Sequence, residues 1–237
     1  MRRGESETAQ APERCLACDA TLHGLYCHEC GQGHRYPRLR IRAMVGDVVE
    51  GLLELDSRVF RTLWGLTVRP GRVTREFLDG RRIVYINPFK YALVAVTLAF
   101  VVLPWLEIQL GLREASESSD AVEWGKLVNV VALPITAGVM SLLFWDKRLR
   151  YIEHLVLVLY AHGHTFVLQM VLGVAVLLVW PEWSIAMVVI PYWWLGWTAR
   201  DVTGAGWISS MLRSAVAFTV VLFGLPPILR PLLELLP

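Results

Sequence analysis

The chain has 237 residues, of which 55% are hydrophobic and only 19% charged, with mean hydropathy +0.46 and a formal net charge of +2. It is more apolar than an ordinary soluble domain, and its charge is too small to make nucleic acid an expected partner. That charge is also unevenly spread: nearly two thirds of the Lys and Arg lie at or before Lys90, a local density that attracts anionic lipid headgroups.

Residues 1–13 begin with Arg2 and Arg3 but continue polar and acidic, where a secretory signal would place an apolar stretch. They read as a disordered tail. The next segment, 14–36, holds all the cysteines: Cys15-x-x-Cys18 and Cys27-x-x-Cys30. Two disulfides are one reading of this set. Paired C-x-x-C motifs favour a single tetrahedral metal site, because a two-residue spacing lets a tight turn aim both sulfurs at one ion. Gly31 after Cys30 and Gly24 before the second pair place permissive backbone where N–H groups must point at sulfur. Cys15, Cys18, Cys27 and Cys30 are therefore the expected ligands. Zn2+ is the default ion for a structural four-thiolate shell, with iron as the alternative. His28 and His34 lie nearby but are surplus to a complete shell. The eight residues between the pairs predict one short β-hairpin without a core of its own, folded by its metal. A closed shell leaves no open coordination position for catalysis, so the unit reads as a structural or docking element for a protein partner, nucleic acid or the rest of the chain.

Residues 37–86 form an amphipathic connector. Met44, Val45, Val48, Val49, Leu52 and Leu53 make one apolar helical stripe, with Arg42, Asp47, Glu50 and Glu54 opposite. A second helix is predicted from an N-cap at Asp56 or Ser57, turning Val59, Phe60, Leu63 and Trp64 inward and breaking at Pro70-Gly71. A third is predicted over 73–79, ending at Gly80 before Arg81 and Arg82. Apolar faces mixed with Arg beside a membrane span describe helices lying in the headgroup layer; a soluble helical hairpin packed on the cysteine unit is the competing reading.

The order Tyr26-Cys27-x-x-Cys30-Gly31-Gln32, Asp56, Thr62-Leu63, Arg69-Pro70-Gly71, Phe77-Leu78-x-Gly80-Arg81-Arg82 and Tyr85-x-Asn87-Pro88-Phe89-Lys90-Tyr91 resembles a family of uncharacterised bacterial polytopic membrane proteins. That family is catalogued as a domain of unknown function, with an N-terminal zinc-ribbon-like head ending in Cys-Gly-Gln. The resemblance covers residues 15–91 by motif and implies a topology but no activity.

Residues 87–237 read as a multi-span body, giving an all-α membrane protein of about five transmembrane helices. Asn87-Pro88 is an N-cap followed by N1, opening a span that runs to about Trp105 or Leu110. An acidic loop over 114–123 follows. Further spans are expected over 127–145, 152–180, 183–198 and 208–225, the fourth being short and containing Pro191. Pro226-Pro227 breaks the last, leaving 228–237, with Arg230 and Glu234 as an i, i+4 pair, as an interfacial tail. With the N-terminus inside, one side holds the early Arg cluster, Lys147, Arg148, Arg150, Arg200 and Arg213, and the other only Arg113, Lys126 and Arg230. Positive-inside asymmetry then predicts a multi-pass protein of the cytoplasmic membrane with its thiols in the reducing cytosol. Trp105, Trp124, Trp145, Trp180, Trp183 and Trp197 fall near span ends and read as interfacial belts.

The third span carries His154, His162, His164 and Gln169. Intramembrane ionisable groups are functional candidates. At about 100° per residue, however, His162 and His164 point to different faces and do not share an ion. His154 is expected at the cytoplasmic interface, and Asn129 and Thr136 of the second span are possible hydrogen-bond partners for the others. No hydrolase elbow, phosphate loop or zinc-protease motif occurs, so the chain reads as non-enzymatic. The preferred function is a docking or membrane-organising protein. The alternative is a small transporter or channel subunit, a homo-oligomer, using the third-span histidines.

Overall fold

The structure is a computed structural model and describes residues 14–33, 57–102, 105, 120–179, 184–225 and 227. Among these residues the fold is helical, with two isolated β-bridges in place of strands. The predicted helix over 41–54, the loop over 114–119 and the tail beyond 227 lie outside them.

Helix α1, Ser57–Val68, presents Thr62 and Leu66 inward, both fully buried. Phe60 and Trp64 do not turn inward as the periodicity predicts: they are 75% and 65% exposed. The inward face is set by Thr62, whose hydroxyl donates to the Arg58 carbonyl and accepts from the Ile86 N–H at 3.0 Å. Helix α2, Pro70–Leu78, begins three residues earlier than predicted because Pro70 fits the first helical position, where no N–H is needed. It ends in a Schellman motif: Gly80 N–H bonds Phe77 O, Arg81 N–H bonds Glu76 O, and Gly80 takes φ +108°.

After a 3-10 turn, Arg82–Val84, helix α3 covers Pro88–Thr97. Its cap is the predicted one: Asn87 Oδ1 accepts the Phe89 N–H at 3.0 Å. A π-helical turn, Leu98–Val102, continues it. Helix α4, Asp120–Leu143, takes up the end of the expected acidic loop, and Pro134 lies inside it. A 3-10 turn, Trp145–Lys147, and Arg148 in the left-handed region (φ +53°) reverse the chain. Helices α5, Tyr151–Val179, α6, Ser184–Thr203 with Pro191 inside, and α7, Trp207–Gly224, complete the described fold.

Among the described residues, three segments are long and apolar enough to cross a membrane: Arg82–Val101, Tyr151–Leu172 and Trp207–Gly224. The runs predicted over 127–145 and 183–198 fall in α4 and α6. Among the described positions the apolar stretch of α4 is Val131–Leu143, within a helix of 24 residues. In α6 the C-terminal turns carry Arg200 and Asp201 and pack on α2.

Helix α5 is the axis of the molecule. Its apolar window is 61% buried, against 28% and 22% for the other two. Ile152, Val156 and Tyr160 pack on Leu66, Val73, Phe77 and Tyr85, so the α1–α2 hairpin covers one face. Leu155, Leu157, Val158 and Ala161 join Ala137, Met140, Phe144, Leu195, Ala199 and Ala217 from α4, α6 and α7 on the other. A helix apolar on all sides is either buried in a core or a membrane span. Close approaches depend on glycine: a Cβ on Gly71 would sit 2.0 Å from the Cβ of Asp201, and one on Gly163 would sit 3.1 Å from the Ala92 Cα.

Candidate metal centre

The cysteine segment folds as two copies of one turn, not as the single hairpin predicted. In the first copy Cys15 N–H bonds Ala20 O at 2.7 Å, Asp19 N–H bonds Cys15 O at 2.8 Å, and Arg14 bridges Thr21. In the second, Cys27 N–H bonds Gln32 O at 2.8 Å, Gly31 N–H bonds Cys27 O at 2.9 Å, and Tyr26 bridges Gly33. Asp19 and Gly31 hold the same left-handed position, at φ +63° and +73°. Gly satisfies it without a Cβ penalty, and Asp is among the side chains that tolerate it.

The two turns face each other. Cys15 Sγ lies 3.6 Å from Cys30 Sγ, Cys18 Sγ lies 3.5 Å from Cys27 Sγ, and all four sulfurs fall within 4.8 Å of one another. A disulfide needs about 2.05 Å, and all four cysteines are free. Sulfurs held about 2.3 Å from a central ion in a tetrahedron stand about 3.8 Å apart, so the set is positioned to hold a metal ion. Backbone N–H groups of Cys30 and Glu29 pointing at Cys27 bring its thiol down to about 6, whereas burial pushes Cys30 up to about 12. Holding all four as thiolates at neutral pH would need a cation among them.

The cysteine unit is seated on the rest of the chain. Cys15, Ala17 and Cys27 are buried against Ile83 and Val84. Gln32 Nε2 donates to Gly80 O at 3.0 Å, and Arg81 donates to Ala17 O at 3.2 Å. Arg81 also pairs with Glu76 at 3.2 Å, and Glu76 further accepts from Arg72 at 2.8 Å and from the Tyr85 hydroxyl at 2.7 Å. Partial burial would raise the Glu76 carboxyl, but the hydrogen bonds from Tyr85 and Arg72 and the charge of Arg81 hold it below the ordinary range. Arg75 caps α6 through Val202 O at 3.0 Å. The turn between α2 and α3 thus joins the cysteine unit to the first apolar segment.

The third-span histidines are brought into the core but not together. Thr67 donates its hydroxyl proton to Leu63 O at 2.8 Å, so its oxygen accepts from His164 Nε2 at 3.1 Å; the Tyr91 hydroxyl then donates to Nδ1 at 2.7 Å. His164 is a neutral tie between α1, α3 and α5. His162 is enclosed by the rings of Phe166 and Phe218, with centroids 6.4 Å and 5.2 Å away. His154, expected at the interface, is fully buried beside Phe144, with Nδ1 3.3 Å from Arg150 O. Phe144, in the turn after α4, covers it in the first turn of α5. Thr136 is buried without a partner, so it does not serve the histidines; the Asn129 side chain lies outside the described positions. Sequence reasoning gave no role to Glu76, Gln32 or Tyr91: Gln32 and Tyr91 act through partners 48 and 73 residues away, and Glu76 gathers Arg72, Arg81 and Tyr85 from within nine residues.

A family described as "Protein of unknown function (DUF3667)" matches residues 56–100, which are α1, α2 and most of the first apolar segment. The chain is similar to that family over those residues, and the cysteine unit lies outside the match. No curated protein and no solved structure matches the chain.

Proposed function

We propose that this protein is a non-enzymatic integral membrane protein in which residues 14–36 form a cytosolic head holding one structural zinc ion, residues 37–86 connect it to the bilayer surface, and residues 87–237 form the membrane body. The head presents a docking surface for a protein partner. The observation that carries this reading is the closed four-sulfur set seated, through Gln32 and Arg81, on the turn that leads into the first apolar segment. A closed shell has no open position for a substrate or water, which supports a structural ion. Zinc is favoured over iron by the all-thiolate, redox-neutral donor set. Leu16, Leu25 and Tyr26 stand exposed on the head among the described residues. Arg-rich sequence before Lys90 supports a cytoplasmic head under the positive-inside rule.

The test is affinity capture of the full-length protein from detergent-solubilised cells, comparing wild type with a Leu25→Ser, Tyr26→Ser variant that retains its metal. The reading predicts a captured protein lost in the variant. An identical set of captured proteins in both would contradict a docking role for this face.

A further inference from the structure

Helix α1 carries an apolar ridge on its outer face. Phe60, Trp64 and Val68, four residues apart, are 75%, 65% and 43% exposed, and at about 100° per residue they fall within an arc of about 80° centred on Trp64. Arg61 stands about 60° from Trp64 on the same face by that count, and Arg69 follows in the turn to α2. Both arginines are exposed and form no ion pair among the described residues, whereas the next cation, Arg72, is held by Glu76 at 2.8 Å. We propose that this face of α1 lies in the headgroup layer and contacts anionic phospholipid, Phe60, Trp64 and Val68 entering the acyl boundary while Arg61 and Arg69 meet phosphates.

The level of the ridge follows from what α1 touches. Thr67 bonds His164 at 3.1 Å, and the His164 ring lies 5.4 Å from that of Trp194. Beside Trp194, the exposed Trp193 meets Trp207 edge-on at 5.2 Å, and the Arg200 guanidinium lies over Trp207 at 5.2 Å. Trp64 is three residues from Thr67, about 4.5 Å of helix rise, so the ridge stands close to the level of a second outward cluster of tryptophan and arginine, built on α6 and α7. Trp is enriched where hydrocarbon meets headgroups, and Arg keeps its charged head at that boundary while its stem lies on apolar surface. A shared lipid boundary accounts for both clusters at once; a protein partner seated on α1 accounts for one. A helix with an apolar face flanked by arginine is also the form that lies in the plane of an anionic surface. The ridge by itself does not choose a lipid, since tails are as apolar as the side chains they meet; the two cations do, each favouring an anionic headgroup by roughly fivefold.

The inference rests on the membrane reading, which fails separately if alkaline washing without detergent releases the chain from membranes. The test puts a photoreactive side chain on the ridge of the full-length protein, as Phe60→p-benzoylphenylalanine and, separately, Trp64→p-benzoylphenylalanine, aromatic for aromatic at exposed positions. Each is reconstituted in nanodiscs of equal phosphatidylglycerol and phosphatidylcholine with the same acyl chains, irradiated, and digested for mass spectrometry. Both positions should give lipid adducts, with phosphatidylglycerol ahead of phosphatidylcholine by roughly 5- to 25-fold, the effect of one to two cations at the surface. Adding Arg61→Gln and Arg69→Gln should bring that ratio near unity while lipid adducts persist. Adducts to residues 37–56 or to a second copy of the chain in place of lipid, equal yields of the two lipids with both arginines present, or an undiminished preference without them would each overturn the proposal.

Discussion

Replacing Glu76 by Gln removes the charge at the junction of α2, the head and the first apolar segment. The carboxylate accepts from Tyr85 at 2.7 Å, Arg72 at 2.8 Å and Arg81 at 3.2 Å. Arg72 is 60% exposed, so its pair contributes about 0–1 kcal/mol after solvent screening. The buried Tyr85 hydroxyl bonds a charged acceptor that Gln replaces with a neutral one, and hydrogen bonds to charged groups are worth about 1.5–3 kcal/mol against about 1 for neutral pairs; Arg81, 39% exposed, adds a screened pair of about 0–1 kcal/mol. The sum is a loss of about 2 kcal/mol at pH 7. If the junction opens locally, amide exchange over residues 80–85 should accelerate by roughly 25-fold in Glu76→Gln, read by hydrogen–deuterium exchange of the protein in micelles. The pH sign follows from a carboxyl held below its ordinary 4.5. Its contribution is complete above that value and is lost as pH falls through the lowered one, so wild type should lose thermal stability on acidification in that window by more than Glu76→Gln does. Unchanged exchange over 80–85 together with the same acid slope in both proteins would refute the role given to this junction.

Tyr91→Phe leaves His164 Nδ1 buried without its donor and should cost about 1–3 kcal/mol, seen as a lower melting temperature in detergent; a wild-type value would dissociate His164 from the packing of α1, α3 and α5. Gly71→Ala forces α2 away from Asp201 and should destabilise by about 1–3 kcal/mol, whereas Gly204→Ala, with nothing within 4 Å of the added carbon, should show only the strain of its left-handed φ of +66°. Equal melting temperatures for Gly71→Ala and wild type would contradict the close contact of α2 with α6. Chelation at neutral pH should expose all four thiols to a maleimide reagent and speed amide exchange over residues 14–33, with re-addition of zinc reversing both; thiols fully reactive before chelation would contradict a filled site.

Much of this architecture was legible in the sequence for identifiable reasons. Asn87-Pro88 named a cap because an Asn oxygen and a proline ring suit two adjacent helix-start positions with no help from elsewhere. The doubled C-x-x-C likewise named a sulfur cluster, since the spacing alone constrains the turn. The hairpin expected between the pairs was wrong because the twelve-residue offset, Cys15 to Cys27 and Cys18 to Cys30, repeats a self-contained turn whose closing bonds stay within each copy. Periodicity marks Phe60 and Trp64 as an apolar stripe without saying what covers it; tertiary contacts through Thr62 and Leu66 set the inward face. The burial of His154 comes from Phe144, in the turn after α4, a contact that its neighbour Glu153 does not reveal. The hydrogen bonds of Gln32 and His164 span 48, 73 and 97 residues, separations at which local pattern carries no information.

The central claim is a sulfur-ligated ion in a head fixed to a membrane-embedded body. Elemental analysis of full-length protein extracted from membranes with detergent tests it most directly, with Cys15→Ser/Cys27→Ser protein run alongside. The account predicts one zinc ion per wild-type chain and none in the double variant, both chains requiring detergent for extraction. Wild-type protein without metal, or metal retained in full by the double variant, would contradict it.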